Sequence, residues 1–258
     1  MTGRRGKVPR FYFNFRSPYS WIAYRDLMDR YPDVAQAVEW HPWWEPDADG
    51  ERLMEEHGET FPYTPMTREK HLYILQDVRR LARARGLDVS WPLDEDPVWE
   101  VPHLAYFPAL EAGLGPRYIE RVYRARWQEG RDICDPATVA DIAGELGLPA
   151  ERLAGAAEDR ELREGPGLAA LLALGRDGAF GVPFFLHGYD KFWGVDRLPA
   201  FVESVRARAR PGAAPRPEPA GAVEPGGPPL GAGSPHYRRA VPPAAARSGD
   251  QGHAGGCG

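Results

Sequence analysis

The chain has 258 residues and a formal net charge of −5 at pH 7, enough length to bury an ordinary core in one large or two small domains. The acid excess argues against nucleic acid or an anionic membrane surface as the main partner, and no apolar run is long enough for a signal core or a membrane span. Cys134 and Cys257 stand far apart, with no Cys-x-x-Cys spacing anywhere, which excludes a disulfide framework and points to a cytoplasmic protein.

In chain order, residues 1–9 are polar and expected to fray. Residues 11–15 are four aromatics and Asn14 and read as a buried strand. Ser17 followed by Pro18 marks a helix start. The serine hydroxyl can accept from the orphan amides of the first turn, and proline at the first helical position loses no hydrogen bond. A serine side chain therefore sits where a strand ends and the positive end of a helix begins, a place suited to an anion. Residues 38–43 read as a second strand. Residues 45–67, rich in Asp, Gly and Pro, read as a long loop carrying Phe61 and Tyr63, and loops of that length are often functional.

From residue 67 to 85 the pattern turns helical, with Leu72, Leu75, Val78 and Ala82, flanked by Tyr73 and Leu81, as its apolar stripe. Further helices are expected over 101–112, 116–128, 136–146, 150–156 and 158–175, and Asp135 before Pro136 repeats the cap-then-proline start. Residues 180–187 return to strand, 187–190 form a hairpin turn, 191–194 an edge strand and 196–208 a last helix. Beyond residue 210 Pro, Gly and Ala dominate, and so little apolar surface cannot offset the entropy of ordering a chain.

Four segments, in order, carry a resemblance. The strand at 11–15 and the Ser17-Pro18-Tyr19-Ser20 that follows it resemble the opening of the DsbA-related thioredoxin-like proteins, with serines where redox members hold a Cys-x-x-Cys pair. This serine version is similar to the 2-hydroxychromene-2-carboxylate isomerases and the kappa-class glutathione transferases. Gly181-Val182-Pro183 resembles the cis-proline loop of that fold, and residues 193–198 its thiol-cofactor segment. The resemblance implies an α/β fold. A thioredoxin-like domain (10–66 and 176–210) would be interrupted by an all-helical insertion (67–175) and followed by a disordered Pro/Gly/Ala-rich tail (211–258). It also implies a homodimer.

From spacing alone Ser17 reads as an N-cap, and the resemblance makes it the catalytic serine that donates a hydrogen bond to a bound thiol's sulfur. A free thiol of pKa about 8.5 is roughly 3% ionised at pH 7, and lowering that pKa by about two units takes roughly 2.7 kcal/mol. A helix dipole supplies about 0.3–2 kcal/mol and a hydrogen bond to a charged group about 1.5–3, so the two together suffice. A hydroxyl forms no mixed disulfide, which disfavours disulfide exchange. Ser20 reads as a first-turn helix residue.

Val182 and Pro183 would present backbone to an extended thiol tripeptide if their bond is cis; locally, Pro183 reads equally as a proline opening an ordinary strand. Asp196 would grip the cofactor's ammonium, or cap the last helix, or both. Val195 stands where relatives carry a polar side chain, leaving only its backbone to bond. Most of Trp40, Trp43, Trp44, Phe61, Tyr63, Trp91 and Trp99 read as core, with Trp44 and Tyr63 taken, beside Tyr19, as the wall for a flat conjugated substrate. His71 and His103 read as surface or packing residues, and the seven histidines show no metal-ligand spacing.

The expected activity is cis–trans isomerisation of a conjugated enone or polyene, dependent on glutathione or another low-molecular-weight thiol. The alternatives are a kappa-like glutathione transferase using the same site, and a non-catalytic thioredoxin-like binding protein.

Overall fold

A computed structural model describes residues 8–62 and 65–209. The expectation of a tail from 211 and the assignment of Tyr63 to the substrate wall lie outside the described residues. Strand β1 (Arg10–Phe13) lies at the centre of a four-stranded sheet ordered β2-β1-β3-β4. It runs parallel to β2 (Glu39–Pro42) and antiparallel to β3 (Phe184–His187), which in turn pairs antiparallel with β4 (Asp190–Trp193). Proline fits at the end of β2 because that strand is an edge.

Between β1 and β2 run α1 (Pro18–Arg30) and the short α2 (Pro32–Ala37). Among the described residues the elements between β2 and β3 are all helical: α3 (Ala48–Glu56), α4 (Arg68–Arg83), α5 (Glu100–Leu104), α6 (Tyr106–Glu111), α7 (Gly115–Trp127), α8 (Pro136–Leu146), α9 (Ala150–Ala154), α10 (Arg160–Leu162) and α11 (Leu168–Asp177). After β4 a 3-10 turn at Val195–Arg197 leads into α12 (Leu198–Ala209). No described helix is long and apolar enough to cross a membrane.

Helix α3 lies inside the segment expected to be loop. Asp47 caps it by accepting from the Gly50 N–H at 2.9 Å, and the same carboxylate is gripped by Arg163, far along the chain; Met54 is its buried anchor. Two expected helices are divided. Pro108 has no N–H to bond the Leu104 carbonyl, so 101–112 splits into α5 and α6. Pro166 and the non-helical Gly165 interrupt the run between α10 and α11. On α4 the buried face is Ile74, Val78 and Ala82; Val78 and Ala82 belong to the expected stripe, while Leu72 and Tyr73 are exposed.

One continuous core joins sheet and helices. Phe11 stacks on Phe185 at 4.6 Å, while Phe13 and Phe15 meet Tyr106, Tyr118 and Tyr123 edge-on. Inside the helical part, Arg126 is wholly buried and clamps Asp94 with two bonds of 2.7 and 2.8 Å. Its guanidinium lies between the rings of Trp99 and Trp127, 5.1 and 4.9 Å away. A buried charge is tolerated only while its partner is present. Asp94→Ala is therefore expected to destabilise the fold by about 3–5 kcal/mol, read by urea unfolding, and adding Arg126→Met to that variant should recover part of the loss.

Candidate active site

The turn between β1 and α1 positions the candidate serine. Asn14 ends the strand by turning its side-chain oxygen onto the Arg16 N–H at 2.7 Å, while its carbonyl accepts from the Ser17 N–H at 3.1 Å. This local turn competes with the sheet ladder, which is why the strand stops at Phe13. Side chains from far along the chain complete the turn. The Phe15 N–H donates to His103 Nε2 at 3.2 Å, the Trp127 indole donates to the Phe15 carbonyl at 3.1 Å, and the Tyr123 hydroxyl donates to the Asn14 carbonyl at 3.1 Å.

Ser17 then caps α1, its Oγ accepting from the Ser20 N–H at 3.0 Å with Pro18 in the first turn. Both serines are fully buried.

His103 is a packing residue, as its sequence context suggests, but one with a definite task. Its Nδ1 sits 2.7 Å from the Trp99 carbonyl and so must carry the proton, leaving Nε2 to accept from Phe15. Complete burial pushes its pKa down to about 3, with the nearby Arg126 acting in the same direction.

Beside this turn lies a cavity of about 700 Å3, within the range usual for small-molecule sites. One wall is α1, from Tyr19 to Arg30. The opposite wall is α4, with Lys70, Tyr73, Ile74, Asp77 and Leu81, and the floor is Val182 and Pro183 with residues 193–199. The Val182–Pro183 bond is cis. The strand ladder starts one residue later, at Phe184, so Val182 takes no part in it. The Tyr19 hydroxyl donates to Asp77 at 2.8 Å, which ties the first turn of α1 to α4.

The cavity thus brings together Tyr19, Val182, Pro183, Val195 and Asp196. Asp196 does not cap the last helix. It sits inside the 3-10 turn, exposed, with its carboxylate 2.8 Å from Arg197. Ser17 is not among the lining residues; it stands behind the wall. Trp44 is elsewhere: it is buried, stacks on His103 at 5.5 Å and borders a separate crevice of about 20 Å3. The aromatic wall instead comes from Tyr73 and Trp193, the latter packed edge-on against Phe180 at 5.0 Å. Sequence reasoning placed Tyr73 in a core stripe; the signal it missed is Lys70 three residues earlier, which marks that face of α4 as partly wet.

Cys134 is far from this chemistry. It lies in the helical part beside Asp94 and Asp132, and burial pushes its thiol pKa up. No cysteine among the described residues lines the cavity, and no described cluster of His, Cys, Asp and Glu could hold a metal ion.

A family model described as the DSBA-like thioredoxin domain matches residues 10–206. No curated protein matches the chain. Among solved structures, a 2-hydroxychromene-2-carboxylate isomerase is similar at 22% identity, covering 78% of this chain and 95% of its own, with a TM-score of 0.61. A probable DsbA oxidoreductase from Streptomyces coelicolor is similar at 17% identity over 85% and 97% of the two chains, TM-score 0.58. The cytosolic disulfide reductase DsbM from Pseudomonas aeruginosa, with GSH, is similar at 18% identity over 78% and 98%, TM-score 0.51. At these identities the likeness carries the fold and not the reaction.

The His103 geometry predicts a pH dependence. Because folding lowers its pKa from 6.5 to about 3, the unfolded chain binds the extra proton first as pH falls. Its contribution is fully present above about pH 6.5 and is lost towards pH 3, at no more than about 1.4 kcal/mol per pH unit. The urea midpoint of His103→Gln should accordingly fall less steeply than wild type between pH 6 and 4.

Proposed function

This chain belongs to the DSBA-like thioredoxin domain family, and from that premise we propose that it is a thiol-dependent isomerase of conjugated substrates. The observation that carries the reading is the cavity against cis-Pro183, bounded by the first turn of α1 and lined by no cysteine among the described residues. Serines at positions 17 and 20 leave that site without the pair that disulfide exchange requires. The low-identity likeness to an isomerase and to a reductase with GSH is consistent with a small thiol as the cofactor.

The residues fit such a cofactor in part. Asp196 offers an exposed carboxylate to an ammonium group, Lys70 lines the opposite wall, and Val182, outside the strand ladder, is backbone that an extended tripeptide would pair with. Val195 contributes only backbone and an apolar side chain. Bound there, the thiol would supply a nucleophile that adds to an electron-poor double bond and leaves after rotation. Tyr19, Tyr73 and Trp193 would hold the flat substrate against it.

The family role of Ser17 meets an obstacle in this chain. The hydroxyl is fully buried and off the cavity lining. A sulfur reaches it only by displacing part of the wall, and the proposal requires that displacement.

The test is to follow a conjugated cis-enone by absorbance and product mass, with and without glutathione. We expect turnover only with the thiol present and a product of unchanged mass. Ser17→Ala should lower kcat about 10- to 150-fold, the worth of one hydrogen bond to a charged group, and destabilise the fold by only about 1 kcal/mol for the lost cap. Full activity in that variant would refute the role of Ser17. Thiol-independent turnover would refute the mechanism, and a product heavier by one thiol would make the protein a transferase.

A further inference from the structure

The cavity is longer than a thiol site beside Pro183 needs. It follows α1 from Tyr19 in the first turn to Arg30 in the last, roughly 16 Å at 1.5 Å per residue. Apolar side chains line it too, among them Ile74, Leu81, Val182 and Leu198. Its far end is charged. There Asp26, 6% exposed, gives both carboxylate oxygens to Arg85, at 2.8 and 2.6 Å.

Arg30 stands at the same end with its nearest contact to that carboxylate at 3.9 Å, beyond hydrogen-bond reach, and with 61% of its side chain exposed. Two guanidiniums therefore share one carboxylate that Arg85 already occupies. The other lining acids are engaged elsewhere, Asp77 with Tyr19 and Arg80, and Asp196 with Arg197. One positive charge at the far end is left over.

We infer that this groove binds an elongated, largely apolar ligand ending in a carboxylate, with the carboxylate on Arg30 and the chain running towards Pro183. The dipole of α1 weakly disfavours an anion at that helix's C-terminal end, which a paired guanidinium outweighs. A planar guanidinium matches a carboxylate through two parallel bonds. Apolar walls favour a hydrocarbon chain over a polar one. The inference rests on the proposed function only in identifying this ligand as the substrate whose double bond lies at the thiol end; the binding itself stands on the groove and its charge.

Direct binding by titration calorimetry on the whole chain tests it, with oleate, oleyl alcohol and glutathione as separate probes. We expect oleate to bind at least tenfold tighter than the alcohol, and Arg30→Glu to remove that preference. Arg30→Gln should fall between the two. Glutathione affinity should be unchanged in both variants. Equal binding of oleate and the alcohol, or no effect of either substitution on oleate, overturns the inference, and so does a parallel loss of glutathione binding, which would place Arg30 in the thiol subsite. Failure of glutathione to bind at all, with the oleate preference intact, would instead count against the thiol-dependent reaction alone.

Discussion

Four residues, Asn14 to Ser17, link the central strand to the first helix, and their backbone is tied down by their own short-range bonds and by three side chains from elsewhere. His103, Tyr123 and Trp127 each close one bond to this turn from positions 88 to 112 residues away. Buried backbone groups need partners, and Asn14, Phe15 and Ser17 are buried. The helical segment between β2 and β3 therefore does more than decorate the sheet. It supplies the hydrogen bonds without which the strand-to-helix junction could not be buried.

The same helices explain why the chain shares one core. The aromatic side chains of Phe13 and Phe15 pack against Tyr106, Tyr118 and Tyr123, so the sheet and the helical part stabilise one another. The Arg126–Asp94 pair lies deeper in the helical part, flanked by two indoles, and pins the segment before α5 onto α7. Such a pair adds less to stability than its short distances suggest, because desolvation offsets most of the attraction. Its effect is to fix one arrangement of Trp99, whose carbonyl in turn fixes the His103 tautomer.

Chemistry at the cavity follows from what α1 and α4 expose to each other. Tyr19 and Asp77 lock their near ends together, and Arg85 with Asp26 locks their far ends. Residues of both helices line the cavity, together with the cis-proline loop.

The sequence by itself determined the features that rest on near neighbours. Whereas Pro183 reads locally as equally the start of an ordinary strand, the Ser17 cap with Pro18 and the hairpin before β4 follow from bonds spanning a few residues, so local residue types specify them. Asn14 belongs here too, since its bond to Arg16 spans two residues, although its meaning was clear only once the turn was seen. Helix α3 was not legible because its cap residue, Asp47, is held by Arg163, 116 residues on. Tertiary structure also decided that Trp44 faces His103 instead of a substrate, that Tyr73 faces the cavity, and that Ser17 is shut behind its wall. Periodicity gives the spacing of a helix's faces, but which face meets the core depends on the partner packed against it, and no local pattern encodes that partner.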